Sequence, residues 1–173
     1  MHSRTSLLVA CLLALACAPC VALAQDATPA ADVATADLAP RLDPNAPDPA
    51  PPHPELAGVF QDFGGRPGLD ALMEDFMANL LADPRTAPYF ENKELPRIKR
   101  QLAEQFCAIL GGGCAYTGRD MRSTHTGMGV DRAAFNALVE DLQAAMDKHR
   151  VPFRSQNKLL AILAPMHREV VGQ

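Results

Sequence analysis

The residues of this 173-residue chain best suited to ligate a metal or attack a substrate are five histidines and five cysteines. His125, His149 and His167 lie in its last third, with no H-x-x-x-H or H-E-x-x-H spacing among them. Cys107 and Cys114 are the only cysteines in the second half of the chain, so a four-ligand zinc site is not expected. No G-x-S-x-G elbow and no phosphate-binding P-loop occurs, and Gly127-Met128-Gly129 lacks the third glycine of a dinucleotide fingerprint. Cys17-Ala18-Pro19-Cys20 has the spacing of a redox pair, but Val21 stands where covalent haem attachment needs His. His125 differs from the other histidines because it sits in Met121-Arg122-Ser123-Thr124-His125-Thr126-Gly127-Met128-Gly129, between two long apolar-periodic segments. A neutral imidazole on such a connector, aimed into an apolar space, can be the sole protein ligand of a haem iron. A lone histidine is more often a packed structural residue, and residue type alone leaves both readings open.

The elements that must position this residue are helical. Leu69, Leu72, Met73, Phe76, Met77, Leu80 and Leu81 recur at steps of three and four, with Pro67 in the first turn and Asp83-Pro84 as the stop. Pro84 to Phe90 reads as a connector holding at most one helical turn. A second helix starts near Lys93 or Glu94 and carries Leu95, Ile98, Leu102, Phe106, Ile109 and Leu110. Gly111-Gly112-Gly113 ends it. Residues 114–130 read as irregular. Asp131 is an N-cap for a third long helix bearing Phe135, Leu138, Val139, Leu142 and Met146. Pro152 opens a fourth, with Leu159, Leu160, Ile162, Leu163 and Met166, and Pro165 predicts a kink or an early end. No run alternates at period two, so the fold class expected is all-α.

The chain divides into three parts. Leu7 to Ala18 is an unbroken apolar run of 12 residues, followed by Ala22-Leu23-Ala24. It falls short of the ~20 residues of a membrane span and suits a cleaved signal peptide over 1–24, and hence export, to the periplasm in a bacterium. A lipid anchor at Cys11 or Cys17 is the competing reading. Residues 25–55 hold eight Pro, eight Ala and six acids against Arg41, a composition that predicts a disordered acidic linker. The folded domain is expected over 56–173, where 14 bases balance 14 acids. That balance argues against a nucleic-acid partner.

Six motifs in order give the folded part a resemblance to the group I truncated haemoglobins, over about residues 58–171. They are Phe63-Gly64-Gly65, Leu80-Leu81-Ala82-Asp83-Pro84, Ala87-Pro88-Tyr89-Phe90, Arg97-Ile98-Lys99 with Phe106, Gly111 through Gly118, and Met121 through Val130. The resemblance implies a shortened globin in which two helices cross two others around haem b. It makes His125 the proximal iron ligand and lays Phe90 flat on the porphyrin. Ile98, Leu102 and Phe106 would line the distal helix, and Arg97 would pair with a propionate, with Gln101 near the rim. Met121, Tyr116, Val130, Phe135 and Leu138 would wall the proximal side. For the apolar residues plain core packing predicts the same burial, and for Arg97 the alternative is a solvated surface charge.

The chain departs from that family at the distal face. Members usually place Tyr where this chain has Met77 and often Gln where it has Leu102. The resemblance then implies a distal pocket without a hydrogen-bond donor, unless Arg100 or Gln101 turns inward. Weak dioxygen binding and a preference for carbon monoxide or nitric oxide are expected. The implied function is an exported haem protein that reversibly binds a diatomic gas at a five-coordinate iron. The alternatives are a nitric oxide dioxygenase or peroxidase-like enzyme served by an external reductase, and a haem-free helical interaction module. Cys107 and Cys114 could close a short loop or remain two buried thiols.

Overall fold

The computed structural model describes residues 51–173; the expected signal peptide, the Cys17–Cys20 pair and most of the expected acidic linker lie outside the described residues. Eight helices follow in order: α1 (Ala57–Asp62), α2 (Gly65–Ala82), α3 (Ala87–Phe90), α4 (Leu95–Ile109), α5 (Met121–His125), α6 (Arg132–Lys148), α7 (Phe153–Leu163) and α8 (His167–Val170). Short 3-10 turns at Pro54–Leu56 and Ala164–Met166 complete the described chain, which holds no strand.

The helix limits follow from local chemistry. α2 stops because Asp83 precedes a proline and takes an extended backbone, φ −85° and ψ 118°. α4 carries Pro96 in its first turn, where a missing N–H costs nothing. Gly111 turns the chain out of α4 at φ +72°, and a Cβ there would also lie 2.6 Å from the His53 carbonyl oxygen. Asp131 caps α6, its Oδ1 accepting from the Ala134 N–H at 2.7 Å. α7 ends at Leu163, and Pro165 falls in the 3-10 turn before α8, so the expected interruption is an early end.

Two elements were not foreseen. α1 and α5 span six and five residues, too few for a hydrophobic period to show. Leu81, grouped by spacing with the apolar face of α2, is instead 40% exposed.

α2 is the centre of the packing, with α4 and α6 both laid against it. Its Leu69, Leu72, Met73, Phe76 and Leu80 are each at most 1% exposed, worth about 1.5–3 kcal/mol apiece by area. With Phe106, Ile109 and Leu110 of α4's end and Leu142, Met146 and Leu159 they form one large apolar cluster. A second, smaller cluster joins Met121, Val130, Ala134 and Val170. The fold therefore has two apolar bodies, with α5 on the smaller one. Cys107 and Cys114 are bonded, with Cα atoms 5.6 Å apart. Closing that loop of eight residues is worth about 2.5 kcal/mol in the chain-entropy account.

Candidate functional site

The site grows from the boundary between the two clusters. α3 straddles it: Tyr89 packs against the smaller cluster, while its neighbour Phe90 packs against the larger one. Met166, in the turn before α8, touches both. On α4, Gln105 points its Nε2 at the Met121 and Met166 sulphurs, 4.0 and 3.9 Å away. α4, α5 and the turn before α8 thus meet at one place.

α5 is a single turn and cannot hold itself together by propensity. Asp120 caps it, its Oδ1 accepting from the Ser123 N–H at 2.8 Å, and the Thr124 hydroxyl donates to the Asp120 carbonyl. Hydrogen bonding from Ser123 holds the Asp120 carboxyl below the usual carboxylate range. The second carboxylate oxygen of Asp120 is buried without a hydrogen-bond partner among the described residues. Met121 packs into the smaller cluster, and Arg122 reaches the Gln173 side chain at 2.9 Å. The Gly172 N–H donates to the Val130 carbonyl, fastening the chain's end beside the loop that follows α5.

This cap should matter measurably. Asp120→Ala is expected to cost about 1 kcal/mol of domain stability at neutral pH. Because the folded pKa of Asp120 lies below its unfolded value, its electrostatic share is present above the ordinary carboxylate pKa. That share is lost as pH falls through the folded value, so the difference from wild type should shrink in acid. Urea unfolding of both proteins at neutral and acidic pH checks this; an unchanged difference would contradict it.

His125 ends α5. Its Nδ1 lies 2.7 Å from the Met121 carbonyl oxygen, which can only accept. Nδ1 therefore carries the proton, and the neutral ring leaves the Nε2 lone pair bare. Burial pushes this imidazole's pKa below its ordinary value, against the opposing bond to Met121, and the Arg119 charge adds to the depression. An oriented, neutral imidazole with its second nitrogen anchored by a carbonyl is the form that ligates a metal. Among the described residues no group of three or more His, Cys, Asp or Glu gathers into a metal cage. The arrangement suits a group that brings its other ligands with it.

The remaining expected site residues divide between the two bodies. Phe90, Ile98 and Leu102 are half-buried against the larger cluster, and Phe106 is buried within it. Met121 and Val130 are buried in the smaller cluster, and Phe135 is half-buried against it. Tyr116 and Leu138 pack against the larger cluster. The Tyr116 hydroxyl donates to the Arg119 carbonyl at 3.0 Å, which braces the loop before α5. Arg97 is exposed on α4, and Gln101 is half-buried. Arg100 is exposed and lies 3.7 Å from the Glu104 carboxylate, one turn further along α4. Met77 is 3% exposed within the larger cluster. The side chains of Met77, Ile98, Leu102 and Phe106 offer no hydrogen-bond donor.

Phe90, Ile98 and Leu102 on one body, and Tyr89, Met128 and Phe135 on the other, are apolar yet only half covered by the fold. Such surfaces gain from a flat apolar partner, at about 25 cal/mol for each Å² covered. Sequence reasoning missed Asp120, Gln105, Tyr89 and Met166. Gln105 sits three residues after Leu102 on the apolar stripe of α4, and that spacing was the available signal.

Comparisons with known proteins identify the family and the fold. The family model described as Bacterial-like globin matches residues 58–171. A group 1 truncated hemoglobin, GlbN, from Mycolicibacterium paratuberculosis is 30% identical over 116 residues, spanning 67% of this chain and 85% of the relative. The ferric truncated hemoglobin of Tetrahymena pyriformis superposes with a TM-score of 0.64 at 24% identity, covering 66% of this chain and 98% of that one. The 2/2 hemoglobin of a Synechococcus species, solved in the cyanomet state with covalently attached heme, superposes at 0.62 with 22% identity, with the same coverage of both chains.

Proposed function

Because the chain belongs to the bacterial-like globins, as a group I truncated haemoglobin whose cofactor is haem, we propose that it is an exported protein binding a diatomic gas at a five-coordinate iron held by His125. One observation carries the residue assignment: the His125 Nδ1 donates to the carbonyl of Met121, whose side chain belongs to the smaller apolar cluster, and burial pushes the ring's pKa below its ordinary value. Haem held by His125 would supply an iron able to bind dioxygen, nitric oxide or carbon monoxide reversibly.

The protein's own residues do the rest. His125 would hold the iron, and the Met121 carbonyl fixes the ring. Phe90, Ile98, Leu102 and Phe106 on one side, with Val130 and Phe135 on the other, exclude water from the macrocycle. Arg97, exposed on α4, pairs with a propionate at the rim. Tyr116 and Leu138 act with the larger cluster. Met77, Ile98 and Leu102 leave the gas without a polar neighbour, which favours carbon monoxide and nitric oxide over dioxygen. The haem-free module falls away with membership of the family. Turnover of nitric oxide or peroxide would need an external reductase as a partner. Export is supported by the Leu7–Ala18 run and by Ala22-Leu23-Ala24, and a mature protein beginning at Gln25 would agree with it.

The test is gas titration of the purified ferrous protein. The expected result is an unliganded five-coordinate spectrum that converts fully with carbon monoxide and dissociates dioxygen rapidly. A six-coordinate ferrous spectrum before any gas is added would contradict the reading.

A further inference from the structure

We propose that the Cys107–Cys114 bridge is a redox-operated clamp on the haem site, whose reduction by a dithiol frees the segment leading to His125 and lowers haem retention. The proposal rests on the reading of His125 above, and its test separates the two.

Cys107 follows Phe106 at the end of α4, the helix that also carries Ile98 and Leu102. Cys114 lies in residues 111–120, which form no helix or strand and lead directly into α5. The bridge therefore joins the helix on one side of the site to the strand-free connector of the ligand on the other. Tyr116 of the connector packs against the larger cluster, and hydrogen bonds also tie the connector to α4. The Gly112 N–H donates to the Cys107 carbonyl at 2.8 Å. The Glu104 carboxylate accepts from the Thr117 N–H and hydroxyl at 3.2 and 2.6 Å, and both of these bonds are exposed. Exposed bonds of this kind hold weakly because water replaces them readily. Without the bridge, Gly111 and Gly113, both at positive φ, are a joint of high conformational freedom.

The two sulphurs differ in access. Cys107 is fully buried, whereas Cys114 is half-buried. A dithiol reductant would thus attack the Cys114 sulphur, forming a mixed disulfide and releasing Cys107 as a thiolate that takes up a proton. The reductant's second thiol then displaces the Cys114 thiolate, which is protonated in turn. Two electrons and two protons pass to the protein, and the reductant leaves as its own disulfide. α4 stays seated, because Phe106, Ile109 and Leu110 remain in the larger cluster. The change is confined to the connector and α5.

The experiment uses the haem-loaded protein in three forms: oxidised, treated with a dithiol, and C107A/C114A. Iron is held ferrous under carbon monoxide in every sample, so that the reductant acts on the bridge alone. Haem transfer to excess apomyoglobin and hydrogen exchange by mass spectrometry are followed. Haem loss from the reduced protein and from C107A/C114A should be roughly tenfold faster than from the oxidised protein, a change of about 1.4 kcal/mol. Exchange should rise in residues 111–125 and stay level in α2. Equal haem loss in the oxidised and reduced forms, or a dithiol effect that persists in C107A/C114A, would overturn the proposal. An oxidised protein that takes up no haem would contradict the site reading instead. Exchange of residues 111–125 then still decides, because no response to reduction leaves no clamp.

Discussion

His125→Gly should leave a folded, largely haem-free protein whose Soret band returns when imidazole is added. The reasoning runs from α5 outward. Asp120 caps a turn too short to persist alone, and that turn seats Met121 in the smaller cluster and holds His125 through the Met121 carbonyl. Removing the ring deletes the one coordinate bond to the protein while leaving the apolar walls. Those walls still attract the macrocycle, so residual weak binding is expected, with haem passing to an acceptor at least 100-fold faster than from wild type, about 2.7 kcal/mol or more. The fold should survive, because α2, α4 and α6 pack without this ring. Far-ultraviolet circular dichroism guards against an unfolding artefact, and haem transfer to apomyoglobin measures the loss. A variant that keeps haem as tightly as wild type would place the iron ligand elsewhere.

The second large effect is expected at the opposite face. Met77→Tyr should slow dioxygen dissociation by roughly 10- to 150-fold, while carbon monoxide changes much less. Dioxygen gains partial negative charge when ferrous iron ligates it, and a hydroxyl donating to that charge is worth about 1.5–3 kcal/mol. Carbon monoxide gains little charge, so the same hydroxyl adds little. Met77 is buried in the larger cluster with Ile98 and Leu102 among its members and neighbours, and none of these side chains can donate. A donor from Arg100 or Gln101 turning inward is the alternative the same measurement detects. Stopped-flow dissociation with the variant and the parent decides the point. A parent that already dissociates slowly, with no change in the variant, would show that a donor reaches the gas from another position.

Much of this architecture can be read from residue spacing, and the exceptions have physical causes. Leu69 to Leu80 announce α2 because a long helix repeats its buried face several times. Asp131 and Gly111 mark helix ends because capping and positive φ select few residue types. α5 leaves no such mark. Five residues carry less than two turns of pattern, and its existence depends on an aspartate cap and on tertiary contacts from α8. Leu81 has the right spacing for the core but sits at the margin of the helix's apolar arc, where a small rotation decides exposure. Gln105 was hidden by its polarity: a glutamine on an apolar stripe reads as the edge of the face, yet it is 4% exposed between two methionine sulphurs. The division of the site residues between two clusters depends on how the helices meet, which spacing does not encode. The bridge between Cys107 and Cys114 was one of two arrangements their positions allowed, and the close return of the chain past Gly112 brings the two sulphurs together.

The central claim is a single bond between iron and His125 Nε2. Resonance Raman spectroscopy of the ferrous, gas-free protein observes that bond directly through its iron–imidazole stretch. Labelling the protein with nitrogen-15 histidine should shift the band, and His125→Gly with added unlabelled imidazole should show a band that no longer responds to protein labelling. A labelled-histidine shift that persists in His125→Gly would assign the iron to another histidine and contradict the account.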